Sequence, residues 1–147
     1  MTLHWATLRE PPCQMNLAKL VAEKDPLSNV VIVLNRPKDV VNIAGVIRVM
    51  MNMGLSRLRL VEPDEFDIRR IDGVAHRSSR IVNGTEFYES LAAAVSDVIY
   101  VVGTSARARS DKRNMARPRT IAPVITERTQ DGLVAICLLY TSDAADE

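Results

Sequence analysis

Asn35, Asn42, Gly45 and Arg48 stand in a stretch otherwise rich in Val, Ile and Met. An arginine in such surroundings is costly unless its guanidinium reaches a carboxylate, a phosphate or water. Arg48 and Asn52 are four residues apart and would share one face of a helix. The residues alone leave two roles open for Arg48. It either pairs with an acid inside the protein or at a subunit interface, or it grips a ligand. A second group, Gly103-Thr104-Ser105-Ala106-Arg107, follows directly on an apolar β-branched run. A glycine there is by itself only a turn signal. A third group is basic: Arg107, Arg109, Lys112, Arg113, Arg117 and Arg119, with Asp111 the one acid among them. Such a run is either a solvated loop or a segment that contacts phosphates.

Other chemistry finds little support. No Ser-His-Asp set or metal-ligand spacing occurs, and Cys13 and Cys137 form neither a metal motif nor a disulfide framework. His76 stands alone beside a helical segment and reads as structural or exposed. Met50, Met51 and Met53 read as core filler.

These groups need elements to hold them. Val30 to Leu34 is a continuous β-branched run, the pattern of a strand buried on both faces in a parallel sheet. Asp39 is a candidate N-cap for a helix over Val40 to Met53, with Gly54 its stop. That helix is apolar nearly all round, which predicts that most of it is buried. Leu58 to Val61, Val98 to Val102 and a run beginning at Leu133–Ile136 are further strands. Helices are expected over Ile71–Val82, Tyr88–Val95 and Ile121–Arg128, and a short one over Leu17–Glu23 that Asp25-Pro26 ends. Strands alternating with helices predict an α/β fold with a mainly parallel sheet.

The chain has 147 residues, enough for one domain with a real core. Residues 1–28 form a mixed N-terminal segment, and 29–136 the domain. The N-terminus lacks a basic patch followed by an apolar stretch, and no apolar run nears the roughly 20 residues of a membrane helix. A cytoplasmic protein is expected. Net charge is +1, which argues weakly against a nucleic-acid partner; the local basic run argues the other way. The last residues, Cys137 to Glu147, resemble a translated sequencing adapter. They are read as a non-native tail and set aside from fold reasoning.

Taken together, two segments carry a family resemblance. Asn42-Ile-Ala-Gly45-Val-Ile-Arg48, followed by Asn52-Met-Gly54 and a strand ending at Pro63, resembles the first motif of SpoU/TrmH-type RNA methyltransferases. The departure is Ala44-Gly45, where the common family order is Gly-Ala. Gly103-Thr104-Ser105-Ala106-Arg107 resembles a second family segment. The resemblance covers about Val30 to Ile136. It implies a SPOUT-type α/β fold with a C-terminal trefoil knot, a dimer, and transfer of a methyl group from S-adenosyl-L-methionine to a ribose 2′-hydroxyl of tRNA or rRNA. It further implies that Arg48 and Asn42 are catalytic-site residues and that Thr104, Ser105 and Ala106 line the cofactor pocket. Arg107, Arg109, Lys112 and Arg113 are then the RNA-binding candidates. The later family motifs, a Phe-Gly-x-Glu turn and a Ser-Leu-Asn segment, are not in this sequence, so most of the knot is expected to be missing and the chain to be an inactive fragment.

The rival readings are a non-catalytic RNA-binding module and a doubly wound nucleotide- or phosphate-binding domain. The second lacks its usual loop, since Asn35 to Asn42 contains no glycine.

Overall fold

A computed structural model describes residues 25–104 and 115–139. A short 3-10 turn, Pro26–Asn29, leads into β1 (Val30–Asn35). Then follow α1 (Val40–Met53), β2 (Arg57–Val61), α2 (Ile68–Val74), α3 (Ser79–Asn83) and β3 (Glu86–Tyr88). The rest is α4 (Leu91–Ala94), β4 (Tyr100–Thr104), α5 (Pro118–Arg128) and β5 (Val134–Leu139). The strands form one sheet in the order β3-β2-β1-β5-β4, and every pairing is parallel.

That order fixes the layers. The crossovers β1→β2, β2→β3 and β4→β5 all step the same way across the sheet, and β3→β4 steps back. Right-handed crossovers put helices of the first kind on one face and α4 on the other. The core obeys this. Ile32, Leu34, Leu58 and Leu60 pack with Ile43, Ile47 and Met50 of α1, Ile71 of α2 and Ile81 of α3, with Ile125 of α5 against them. On the opposite face, Val31, Val33, Val61, Ala135 and Cys137 pack with Ala94 of α4. Leu34 is fully buried. Truncating such a side chain to Ala costs about 2–5 kcal/mol.

The sequence reading of β1 and α1 holds. The Asp39 carboxylate accepts the Val41 N–H at 2.8 Å. Gly54 takes the left-handed conformation, φ 75°, and its N–H reaches the carbonyls of Met50 and Met51. The expectation that α1 is mostly buried is corrected. Val40, Ile43, Ala44, Ile47 and Met50 are buried, but Val41, Val49 and Met53 are 48%, 55% and 62% exposed. Only the sheet side of the helix is covered among the described residues.

Other boundaries move for local reasons. The helix expected over Ile71–Val82 is two helices, because Arg77 is left-handed with φ 66° and breaks the run. The helix expected over Tyr88–Val95 keeps only Leu91–Ala94, capped by the Ser90 hydroxyl, while Glu86–Tyr88 becomes an edge strand beside β2. The third expected strand starts two residues late, at Tyr100. β5 runs past Ile136 through Cys137, Leu138 and Leu139. Cys-Leu-Leu is apolar enough to extend a central strand whatever its origin, and burial pushes the Cys137 thiol pKa up. The helix expected over Leu17–Glu23 lies outside the described residues.

Candidate active site at the carboxyl edge of the sheet

Chain connections leave β1 on one side toward β2 and return on its other side at β5. Ligands of open α/β sheets bind at the carboxyl ends of the strands where the order reverses in this way. Leu34, Leu138 and Thr104 form one register row there, and Asn35 pairs with Leu139 one step further. Asn35 and Thr104 therefore flank β5, two strand spacings or about 10 Å apart. Thr104 is exposed, and its hydroxyl donates to the Cys137 carbonyl at 3.1 Å. Its hydrogen is committed to the sheet, so toward a ligand it offers a methyl group and an oxygen lone pair. Ser105, Ala106, Arg107, Arg109, Lys112 and Arg113 lie outside the described residues. Arg117 and Arg119, at the end of the basic run, are exposed at the start of α5.

Asn42 and Arg48 are both exposed on α1. The helix does not bring them together. Six residues of helix separate them by about 9 Å along the axis and about 120° around it. Asn42 stands in the first turn, near the carboxyl edge, with its N–H on the Asp39 carbonyl at 3.1 Å. Arg48 stands further down, on the side of α1 away from the sheet. Among the described residues it has no hydrogen bond or ion pair, so the internal-acid role finds no partner there. Between them, a Cβ built on Gly45 would meet nothing within 4 Å. The small residue thus faces open space, which leaves room for another backbone or a ligand to approach.

Two constellations escaped the sequence reading. The first is Arg59, whose side chain is 5% exposed. Its guanidinium donates to Glu86 Oε2 at 2.8 Å, to the Ala94 carbonyl at 2.7 Å and to both Asp97 oxygens at 2.6 and 2.8 Å. It also lies 5.4 Å from the centre of the Tyr88 ring. The hydrogen bond from Arg59 holds the Asp97 carboxyl below the usual carboxylate range. The Tyr88 hydroxyl donates to Glu86 at 2.9 Å, and this bond, ahead of burial, raises its pKa. The one available signal was the polar interruption Leu58-Arg59-Leu60, but its partners are 27 and 38 residues away.

The second is at the ends of β1 and β2. Arg36 and Glu62, the residues just after these strands, are both left-handed, with φ 52° and 42°. Outside glycine this conformation costs about 1–2 kcal/mol per residue. The Arg36 Nε donates to Glu62 Oε2 at 2.8 Å, and a terminal guanidinium nitrogen is 2.7 Å from the same oxygen. No sequence pattern marks this pair.

The chain is similar to known proteins over about two thirds of its length. The chain is 31% identical over 100 residues to the tRNA/rRNA methyltransferase LasT of Escherichia coli, itself uncharacterised, covering 68% of this chain and 44% of that protein. It is 35% identical over 96 residues to the tRNA (cytidine/uridine/adenosine-2′-O-)-methyltransferase TrmJ of Pseudomonas aeruginosa, covering 65% and 37%. A solved "probable methylase family protein" from Haemophilus influenzae superposes with a TM-score of 0.70 at 32% identity, over 77% of this chain and 48% of that one. TrmJ from Z. mobilis gives 0.68 at 30% identity, over 76% and 50%. The chain spans less than half the length of these curated relatives. No family model matches the chain.

Proposed function

We propose that this chain, whose homologues are tRNA and rRNA methyltransferases as its two motifs implied, is part of an enzyme that methylates a ribose 2′-hydroxyl of RNA. The observation that carries the reading is Arg48: exposed, without a partner among the described residues, and embedded in the motif that pointed to this family.

S-adenosyl-L-methionine, as the methyl donor, would supply an electrophilic methyl group on a sulfonium. Of the residues that the motif assigns to the cofactor pocket, Thr104 is the one described, with the exposed Gly103 beside it; Ser105 and Ala106 follow in sequence. The chain's own part is alignment. Arg48 would hold the RNA phosphate next to the target ribose with its two-pronged guanidinium and favour ionisation of the hydroxyl by its field. It is a poor proton acceptor, since arginine stays charged at any ordinary pH. Asn42, at the helix start, would orient groups near the strand ends. Arg107, Arg109, Lys112 and Arg113 would contact further phosphates.

The reading includes a homodimer, in which a second copy covers the apolar part of the outer face of α1. The exposed Val41, Val49 and Met53 and the open space over Gly45 support that arrangement. The 147-residue chain alone should bind the cofactor weakly. Micromolar affinity by calorimetry would count against this.

The test uses a form extended past Ile136 to include the later family motifs absent here, labelled S-adenosyl-L-methionine and a tRNA pool. Incorporated methyl should protect the adjacent phosphodiester from alkali, because a 2′-O-methyl group cannot attack it. Label on a base, with the bond still alkali-labile, would overturn the reading. RNA binding without any methyl transfer would favour the non-catalytic module.

A further inference from the structure

The Glu62 N–H bonds the Tyr88 carbonyl of β3 at 3.1 Å. The turns after β1 and β2 are tied to each other at three points. The Arg36 N–H bonds the Val61 carbonyl at 2.8 Å, and the Asp64 N–H bonds the Pro37 carbonyl at 3.2 Å. The third tie is the Arg36–Glu62 ion pair. Both side chains are well solvated, 68% and 47% exposed, so the pair does little for stability. Glycine at both positions would adopt the same backbone without strain. What Arg and Glu add over glycine is a link between two turns that are each held in a disfavoured conformation. Such conformations persist where the surroundings over-determine them, and they concentrate at functional sites.

Three residues separate Arg36 from α1, and one of them, Pro37, is buried. The direction in which α1 leaves the sheet is therefore set at Arg36. We infer that Arg36 and Glu62 are positioning residues: their ion pair locks the two left-handed turns and so fixes where the first turn of α1, with Asn42, and further along Arg48, stands at the carboxyl edge. The inference rests on the reading of Asn42 and Arg48 as reaction-site residues.

Two readouts test it. In the 147-residue chain, Glu62→Gln should speed hydrogen exchange of the Asn42 and Asp64 amides about threefold, as loss of an exposed pair allows. The swapped double variant, Arg36→Glu with Glu62→Arg, should bring both amides back to near the starting rate. In the extended form, Glu62→Gln should lower the single-turnover rate at saturating RNA about tenfold with little change in KM, and the swap should restore most of it. Unchanged exchange in Glu62→Gln overturns the clamp. Faster exchange with an unchanged rate overturns its role in the reaction. Arg48→Ala in the same assay is the control: if it is silent, the reading of Arg48 has failed, and the exchange data judge the clamp alone.

Discussion

Arg48 and Arg59 are eleven residues apart, and each interrupts an apolar run. Arg59 sits on a strand, and the alternation of the pleat turns it into the α4 face of the sheet. There the guanidinium is wrapped by two carboxylates, a carbonyl and an aromatic ring. Arg48 sits on a helix whose other side is buried, and rotation along the helix turns it outward. The first arginine is committed inside the fold; the second has no partner among the described residues, and the proposed function gives it one outside the fold. On that proposal the same residue type in similar local sequence takes opposite roles, and the deciding quantity is which face the element presents.

The comparison can be broken most sharply at Arg48. Arg48→Ala in the extended form should cost about 2–4 kcal/mol of transition-state stabilisation, with cofactor affinity nearly intact. Stability should move by less than about 0.5 kcal/mol, since the side chain is solvated. Lys should rescue in part, because a point charge cannot make the two-pronged contact. Full single-turnover methylation by the Ala variant at saturating RNA would make Arg48 structural.

Arg59→Ala should do the reverse. It should lower stability by about 2–3 kcal/mol in a urea titration, by removing a buried charged hydrogen-bond donor and leaving the Ala94 carbonyl unpaired. The cost sits below that of a fully buried pair because Glu86 and Asp97 are about half exposed. A loss under about 0.5 kcal/mol would mean that water replaces the guanidinium freely.

Asp97 refines this through pH. Its folded pKa lies below its unfolded value, so its contribution is present above the unfolded pKa of about 4 and is lost as pH falls through the folded one. Asp97→Asn should therefore flatten the acid limb of the stability curve and leave the neutral limb parallel to that of the parent. An unaltered acid limb would remove Asp97 from the network's energetics.

The smallest effect belongs to the basic run. Replacing Lys112 or Arg113 with Ala should reduce the slope of log affinity for RNA against log salt by about one contact each, without altering the single-turnover rate at saturation. An unchanged slope would return this run to a solvated loop.

The sequence by itself determined the class of fold and the two motifs. Val30 to Leu34 and Asp39-Val40…Gly54 carry their own local signals: β-branching, an N-cap and a glycine stop act over a few residues, and neighbouring elements cannot easily override them. Asn42 and Arg48 in the first motif, and Thr104 in the second, could be named as candidates for the same reason, each standing at fixed spacing within a local segment. Tertiary structure alone decided the rest. β3 is a strand only because β2 offers it an edge. Among the described residues the outer face of α1 is uncovered, because the sheet covers one side only. Arg59 finds Asp97, and Arg36 finds Glu62, across 38 and 26 residues of chain. Such pairings are set by the order of strands in the sheet and the turns between them, and no local periodicity encodes which distant residue a given arginine will meet.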